Sequence, residues 1–97
     1  MIVEHAWLSI TTGREDEFFD SITSVFPLIE AAPGCHGAEI RRQIEDPSIF
    51  LLMVRWDSVD AHMAFRASDP FTTWRAHTMP FYATAAQVTH FSEVLSG

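Results

Sequence analysis

The run Ile49–Trp56 constrains the fold of this chain more than any other segment, because seven of its eight residues are apolar. An apolar run of strand length predicts a strand that is central in a sheet. The turn Asp46-Pro47-Ser48 comes directly before it, and residues 35–45 before that turn interleave apolar and polar side chains. The two segments therefore predict a β-hairpin whose second strand lies inside the sheet.

An amphipathic helix is predicted before the hairpin. Its apolar residues follow the spacing i, i+4, i+7, i+8 and i+11, and they are Phe18, Ile22, Val25, Phe26 and Ile29. We expect Thr12 to cap this helix and Pro33-Gly34 to end it. Pro27 should kink the helix or restart it near Ser24, because proline lacks the amide donor of a helical residue.

The region after the hairpin is predicted as two helical parts, residues 59–67 and Asp69 to about Thr78. Further strands are predicted over residues 2–10 and 83–95. The order β-α-β-β-α-β is the ferredoxin-like arrangement, in which one antiparallel sheet carries helices on one face. Ninety-seven residues leave room for a single domain, residues 1–97, so the predicted fold class is α+β.

The sheet face opposite the helices is predicted to be apolar, since it would carry Val3, Trp7 and apolar residues of the third and fourth strands such as Phe91. A monomer would then expose a larger apolar patch than soluble monomers usually tolerate. A second copy packed sheet to sheet is the simplest cover. We therefore expect a homodimer with an isologous interface on the order of 2,000 Å² or more.

The charge of the chain argues against two classes of partner. The net charge is −7, and the basic residues are six arginines without a lysine. Such a surface repels phosphate backbones and anionic lipid, so we expect neither nucleic acid nor membrane as a partner. The longest apolar run is six residues, and no basic segment with a long apolar run begins the sequence. We expect a cytoplasmic protein without a signal peptide.

The metal-ligating residue types are present but do not form a known motif. Cys35 is the single cysteine, which excludes a Cys-rich metal site. The histidines occur at positions 5, 36, 62, 77 and 90, and their spacing matches no metal-binding pattern. No phosphate loop, dinucleotide fingerprint or nucleophilic serine motif occurs either. We therefore expect no metal.

Three segments of the sequence resemble the antibiotic biosynthesis monooxygenase family. Ala32-Pro33-Gly34-Cys35 matches the Pro-Gly turn that precedes the second strand of that family. Residues 54–61, with the sequence VRWDSVDA, are similar to the family's W-E/D-S-x-x-A signature. Residues 65–71, with the sequence FRASDPF, are similar to its F-x-x-S-x-x-F stretch. Together with the strand order, the resemblance covers nearly the whole chain.

The resemblance implies a dimeric α+β barrel and a choice of activities. Members of the family oxygenate aromatic polyketides without flavin or metal, oxidise quinols, degrade haem, or have no known role. Cofactor-free oxygenation needs an apolar pocket that binds an electron-rich phenol, assists its deprotonation and excludes water. The resemblance thus implies a cofactor-independent monooxygenase that acts on a quinol or polycyclic phenol, and we expect a small aromatic substrate and no cofactor.

The residues expected to line this pocket lie in the second helical region, which the resemblance identifies as the pocket wall. They are Phe65, Phe71 and Trp74 as aromatic walls, with Arg75 and His77 as polar contacts. Core packing is the alternative for the aromatic residues, and an exposed helix face is the alternative for Arg75 and His77. We expect His62 to be exposed, and His5 and His90 to face each other across neighbouring strands, at the dimer interface or as a general base. No residue is assigned as catalytic.

Two other functions stay open at this point. The three residues that carry haem degradation in the family are replaced here by Ala6, Phe65 and Arg75, so haem degradation ranks lower. A non-catalytic dimer that binds small molecules or acts in stress is the main alternative, because fold does not imply function. An open aromatic-lined cavity between sheet and helices would favour the enzyme, and a solid core would favour the alternative.

Overall fold

A four-stranded antiparallel sheet with helices packed on one face forms the fold, which the computed structural model describes for residues 1–94. The elements in chain order are β1 (Ile2–Ser9), α1 (Glu15–Glu30), β2 (Cys35–Arg42), β3 (Ile49–Trp56), α2 (Val59–Arg66), α3 (Asp69–Thr78) and β4 (Gln87–Phe91). A short 3₁₀ turn, Met79–Phe81, follows α3. The predicted α+β ferredoxin-like order is confirmed, with the second helical region divided into α2 and α3.

The strand order in the sheet is β2-β3-β1-β4, so β3 is an interior strand as its apolar run predicts. The β2–β3 hairpin is also confirmed. Its turn is closed by Asp46, whose carbonyl accepts from Ile49 N at 3.0 Å and whose carboxylate accepts from Ser48 N at 3.0 Å. These two bonds fix the turn that sets the register of the β2–β3 hairpin.

The core lies between the inner face of the sheet and α1. The inward residues of the two central strands are Ala6, Leu8, Phe50, Leu52, Val54 and Trp56. Four of the five apolar residues predicted for α1 are buried against them, and Phe26 is half-buried. Phe18 is fully buried with its ring 5.1 Å from that of Phe50. The 3.6-residue period of α1 thus predicted its packing face correctly.

The ends of three strands differ from their predicted bounds. β1 ends at Ser9, and Ile10 instead forms an isolated bridge with Tyr82. β2 ends at Arg42, because Gln43 N donates to Ile49 O and begins the hairpin turn. β4 is limited to Gln87–Phe91, and the predicted end at position 95 lies outside the described residues.

Helix α1 departs from its prediction at two points. Thr12 does not cap it: Gly13 N donates to the Glu15 carboxylate at 2.8 Å, and the helix begins at Glu15. The helix also runs unbroken through Pro27 to Glu30 instead of restarting near Ser24. The carbonyl that loses its donor to Pro27 belongs to Thr23, which is exposed to solvent.

None of the helices within residues 1–94 is long and apolar enough to cross a bilayer.

Gly34 holds the end of α1 against the start of α2. Its φ is +84°, and its carbonyl accepts from Asp57 N at 2.8 Å. A Cβ atom added to Gly34 would lie 2.7 Å from the Cβ of Ala61. The Pro-Gly turn and the segment after Trp56 are therefore in direct contact, which gives a physical reason for finding both motifs in one sequence.

We predict that Gly34→Ala lowers the free energy of unfolding by about 2–4 kcal/mol, because the new methyl group adds a clash to the cost of a positive φ. Gly13→Ala is the matched control, since Gly13 has a φ of +92° but no atom within 4 Å of an added Cβ. That variant should lose only about 1–2 kcal/mol. Urea unfolding at fixed protein concentration measures both, and equal losses would contradict the contact.

Candidate functional site

A cavity of about 240 Å³ lies between the inner face of the sheet, α2 and α3. Its walls are largely apolar and are formed by Ala6, Leu8, Leu52, Phe71, Trp74, Met79, Ala85, Ala86 and Val88, with the ring of Tyr82. Three charged or titratable side chains also face it, namely Glu4, His62 and Arg66. An apolar pocket with a few convergent polar groups is the usual form of a small-molecule site.

Glu4 brings a carboxyl group into the core from the inner face of β1, where only 4% of the residue is exposed. Two donors reach the same oxygen, Oε1. Trp56 Nε1 donates to it at 2.9 Å, and His62 Nε2 lies 3.3 Å from it. A buried carboxyl group requires such partners, since burial without hydrogen bonds would cost several kcal/mol.

His62 links Glu4 to a second imidazole. Its ring stacks on Trp56 with centroids 5.2 Å apart and planes inclined by 18°. Its Nδ1 lies 2.8 Å from Nε2 of His90. His90 faces inward because the β1–β4 register pairs it with Glu4. Glu4, His62 and His90 are referred to below as the inner triad.

The buried setting shifts the pKa values of two members of the inner triad in opposite directions. Burial raises the pKa of Glu4, while the Trp56 hydrogen bond and the Arg66 charge oppose that rise. Burial, with the charges of His90 and Arg66, lowers the pKa of His62 from 6.5 to about 4. At neutral pH Glu4 therefore has a neutral imidazole 3.3 Å from its Oε1 and not the charged partner of an ion pair.

These shifts determine the proton positions in the inner triad. While Glu4 is ionised, the one ring proton of neutral His62 is assigned to Nε2, the ring nitrogen that lies 3.3 Å from the carboxylate. Nδ1 of His62 then accepts from Nε2–H of His90. All the donors consequently point toward Glu4.

Phe71 and Trp74 line the cavity, whereas Phe65 lies behind them. Phe65 is 4% exposed, packs edge-on against Phe71 with ring centroids 5.6 Å apart, and lies tilted against Trp56 at 5.9 Å. It also borders a separate apolar groove at the end of α1. Of the three aromatic residues singled out in the sequence, two therefore face the cavity and one packs in the core beside it.

Arg75 and His77 lie on the exposed side of α3 and outside the cavity lining. His77 Nδ1 donates to the carbonyl of Thr73 at 2.9 Å, within its own helix. The inward positions of α3 are Phe71, Trp74 and Thr78, at i, i+3 and i+7. The two polar residues closest in sequence to the aromatic wall are thus not brought to it.

The histidine predictions need two corrections. His62 was expected to be exposed, but it is 4% exposed because it shares the inward face of α2 with Phe65, three residues later. His5 and His90 do not face each other. His5 pairs with Thr89 and packs on the outward Phe91 ring at 4.5 Å, whereas His90 pairs with Glu4 and faces inward. Side chains alternate between the faces of a strand, so one position separates the two environments.

Sequence reasoning missed Glu4, Arg66 and Tyr82 as cavity residues. A usable signal existed for Glu4, which shares the parity of Ala6 and Leu8 on a strand that is otherwise apolar on that face.

Within residues 1–94, no three His, Cys, Asp or Glu side chains are placed to ligate one metal ion. Burial raises the pKa of the Cys35 thiol, which disfavours its reactive thiolate form.

Comparisons with known proteins agree with the geometry. A family model described as antibiotic biosynthesis monooxygenase matches residues 1–77. The structure of a protein from Bordetella bronchiseptica, itself a proposed antibiotic biosynthesis monooxygenase, superposes with a TM-score of 0.92 at 39% identity, covering 97% of each chain. YczJ of Bacillus subtilis (strain 168), an uncharacterized protein, is 32% identical over 95 residues, which are 97% of this chain and 100% of YczJ.

A more distant structural relative has a described activity. A variant of SnoaB, a cofactor-independent oxygenase from Streptomyces nogalater, superposes with a TM-score of 0.84. The two sequences are 13% identical, and the match covers 98% of this chain and 94% of SnoaB. At that identity the comparison shows a shared fold.

We predict that acidification from pH 7 to pH 5 destabilises the wild-type protein relative to a His62→Gln variant by about 1–2 kcal/mol. The unfolded chain binds a proton at His62 below pH 6.5, while the folded chain resists it down to about pH 4. Stability due to neutral His62 is therefore lost as the pH falls through this window. The raised pKa of Glu4 acts in the opposite direction, but Glu4 is present in both proteins. Urea unfolding at the two pH values and fixed protein concentration is the measurement, and parallel pH dependence would contradict the burial of neutral His62.

Proposed function

Because this chain belongs to the antibiotic biosynthesis monooxygenase family, we propose that it is a cofactor-independent monooxygenase whose substrate is a quinol or polycyclic phenol bound in the cavity. The observation that carries the proposal is the composition of that cavity. Aromatic side chains of α3 form one wall, and a buried hydrogen-bonded carboxyl group lies on the opposite sheet face. Such a site binds a flat apolar ring and offers one polar group to its hydroxyl.

The chemistry needs no resident redox group, because the substrate supplies all the electrons. Loss of the phenolic proton gives an electron-rich phenolate that can pass an electron to dioxygen. For an anthrone-type substrate, the ring methylene and O₂ become a ring carbonyl and water. One oxygen atom enters the product, and the other leaves as water with both methylene hydrogens. The enzyme has to bind the ring, assist proton transfer and keep water from the intermediates.

The size of the cavity favours small members of this substrate class. A cavity of about 150 Å³ holds benzene. The volume of about 240 Å³ therefore suits a two-ring compound, and a naphthalene-sized quinol is the first substrate to test. Three-ring anthrones would require Arg66, which is exposed at the cavity and lies 6.0 Å from the Phe71 ring, to move aside.

The outer face of the sheet supports a homodimer as the working form. It carries Val3, Trp7, Leu51, Met53 and Phe91, and no described element covers it. Trp7 is 43% exposed and Phe91 is 52% exposed. Two copies packed by this face would remove both aromatic residues from water and form the dimeric barrel. The cavities open on the inner face, so dimerisation leaves them accessible.

We predict that the protein consumes oxygen with 1,4-naphthohydroquinone faster than the enzyme-free autoxidation of that compound. Phe71→Ala should lower kcat/KM about tenfold, because it removes an aromatic wall of the cavity. Phe19→Ala is the matched control, since Phe19 is 48% exposed on α1, and should retain the wild-type rate. An oxygen electrode measures uptake. Binding of naphthols without any uptake would instead support the non-catalytic binding protein.

We predict that light scattering gives twice the chain mass of 11.0 kDa at micromolar concentration. Trp7→Glu should shift the protein to the monomer, because a charge at the centre of an apolar interface has no partner. Phe19→Glu introduces the same charge at a similarly exposed aromatic residue on the helical side and should leave the dimer intact. A monomeric wild-type protein would contradict the proposed assembly.

A further inference from the structure

The two oxygens of the Glu4 carboxyl group have different surroundings. Oε1 accepts from Trp56 Nε1–H and lies 3.3 Å from His62 Nε2. Within residues 1–94, no hydrogen bond reaches Oε2, and no buried side-chain oxygen or nitrogen is left without a partner. Oε2 therefore retains accessible surface, and the cavity is the space that Glu4 faces.

We propose that Glu4 is the catalytic acid–base group of the oxygenase, with Oε2 as the proton acceptor and His62, His90 and Trp56 as the residues that position it. This assignment rests on the proposed function, because it names the group that handles the proton of the phenol in that same cavity. A carboxylate whose first oxygen accepts from Trp56 Nε1 and lies against the His62 ring presents its second oxygen in a fixed direction, as a general base requires.

The reaction requires a group that takes one proton from the substrate and later returns it. The phenolic O–H bond breaks as the Oε2–H bond of Glu4 forms, which leaves a phenolate. Oxygen then adds to the ring, and Glu4 returns the same proton to the reduced oxygen to give a ring hydroperoxide. Loss of water from the hydroperoxide gives the carbonyl. The cycle ends with ionised Glu4 and releases no net proton.

The residues around Glu4 keep it basic without placing a full positive charge against it. His62 lies beside Glu4 as a neutral imidazole, and His90 contacts the other ring nitrogen of His62. Arg66 of α2 is the fixed positive charge of the site, and it is exposed to solvent. The other titratable groups near Glu4 are Tyr82, beyond α3, and Cys35 of β2, both with a raised pKa. Burial consequently dominates, and a carboxylate with a raised pKa is a stronger base toward a phenol.

The experiment compares oxygen uptake by the wild-type protein and Glu4→Gln with 1,4-naphthohydroquinone. The amide oxygen of Gln can accept the hydrogen bond from Trp56 but cannot take a proton. We expect kcat to fall by about 100-fold or more at pH 7, with KM changed less than about threefold. Glu45→Gln is the matched control, because the same change on an exposed glutamate should leave the rate unaltered. Unchanged uptake in Glu4→Gln would overturn the proposal.

The pH profile separates a catalytic role from a structural one. In the wild-type protein, kcat/KM should fall as acid protonates Glu4, at a pH above its ordinary value of 4.5. The deficit of Glu4→Gln should shrink as the pH approaches the pKa of the substrate, about 10 for an unsubstituted phenol, since the substrate then arrives ionised. A deficit that is equal at every pH would show that Glu4 is only structural and would overturn the assignment.

The positioning residues are tested by the same profile. His62→Gln keeps a neutral side chain that can donate to Glu4 but breaks the link to His90. We expect kcat to fall about tenfold and the acidic fall of kcat/KM to occur at a different pH from that of the wild-type protein. At pH 5 the melting temperature of the variant should not be lower than that of the wild-type protein. If kcat/KM of the variant falls in acid at the same pH as that of the wild-type protein, His62 does not position Glu4.

Absence of uptake by the wild-type protein would count against the proposed function and not by itself against Glu4. In that case the affinity for substrate-like ligands tests the assignment of Glu4. The protein should prefer 2-naphthol to 2-methoxynaphthalene by about tenfold, because only the former donates a hydrogen bond to a carboxylate. That preference should fall in Glu4→Gln and persist in Glu45→Gln. Equal affinity for the two compounds in the wild-type protein would overturn the assignment of Glu4.

Discussion

The hydrogen bond from Trp56 Nε1 to Glu4 Oε1 connects the elements on which this structure depends. Trp56 is fully buried at the end of β3, and a buried indole N–H requires an acceptor. The acceptor is Glu4 of the neighbouring strand β1, and a buried carboxylate needs further polar partners. His62, in the first helix after Trp56, brings a ring nitrogen to 3.3 Å from the same oxygen. The signature at the junction of β3 and α2 thus places both a core tryptophan and a partner for the buried acid.

The two faces of the sheet separate the proposed dimer interface from the cavity, and alternation along β1 is the cause. Glu4 and Ala6 face the cavity, whereas Val3 and Trp7 face outward. A slip of one residue in the β1–β3 register would exchange these sets and place an acid at the outer face and a tryptophan in the cavity. Ile10 N, after the end of β1, donates to the carbonyl of Ser48 in the hairpin turn, and this bond and the packing of α1 on the inner face support the β1–β3 register. The hairpin turn consequently contributes to the site although it lies far from it in sequence.

Much of the fold was predictable from the sequence, while most of the polar site was not. The apolar run Ile49–Trp56 predicted an interior strand, and the period of α1 predicted its buried face, because each pattern is local. The inner triad depends on which residues of separate elements meet. Arg75 and His77 were favoured for their closeness in sequence to Trp74, but the phase of α3 turns them outward. His62 and His90 come together only through the packing of α2 over the β1–β4 edge of the sheet.

Interactions that stabilise ionised Glu4 also make it a weaker base, and the neutral state of His62 limits this loss of basicity. A charged imidazole at 3.3 Å would stabilise the carboxylate, lower its pKa and weaken it as a base. A neutral imidazole lies against the buried oxygen without adding a positive charge, so burial keeps the pKa of Glu4 raised. The stacking of His62 on Trp56 and its burial beneath α2 maintain that neutral state, since both remove the ring from water. The aromatic core and the proton chemistry are therefore not independent features, because the packing that excludes water from His62 also keeps Glu4 able to accept a proton.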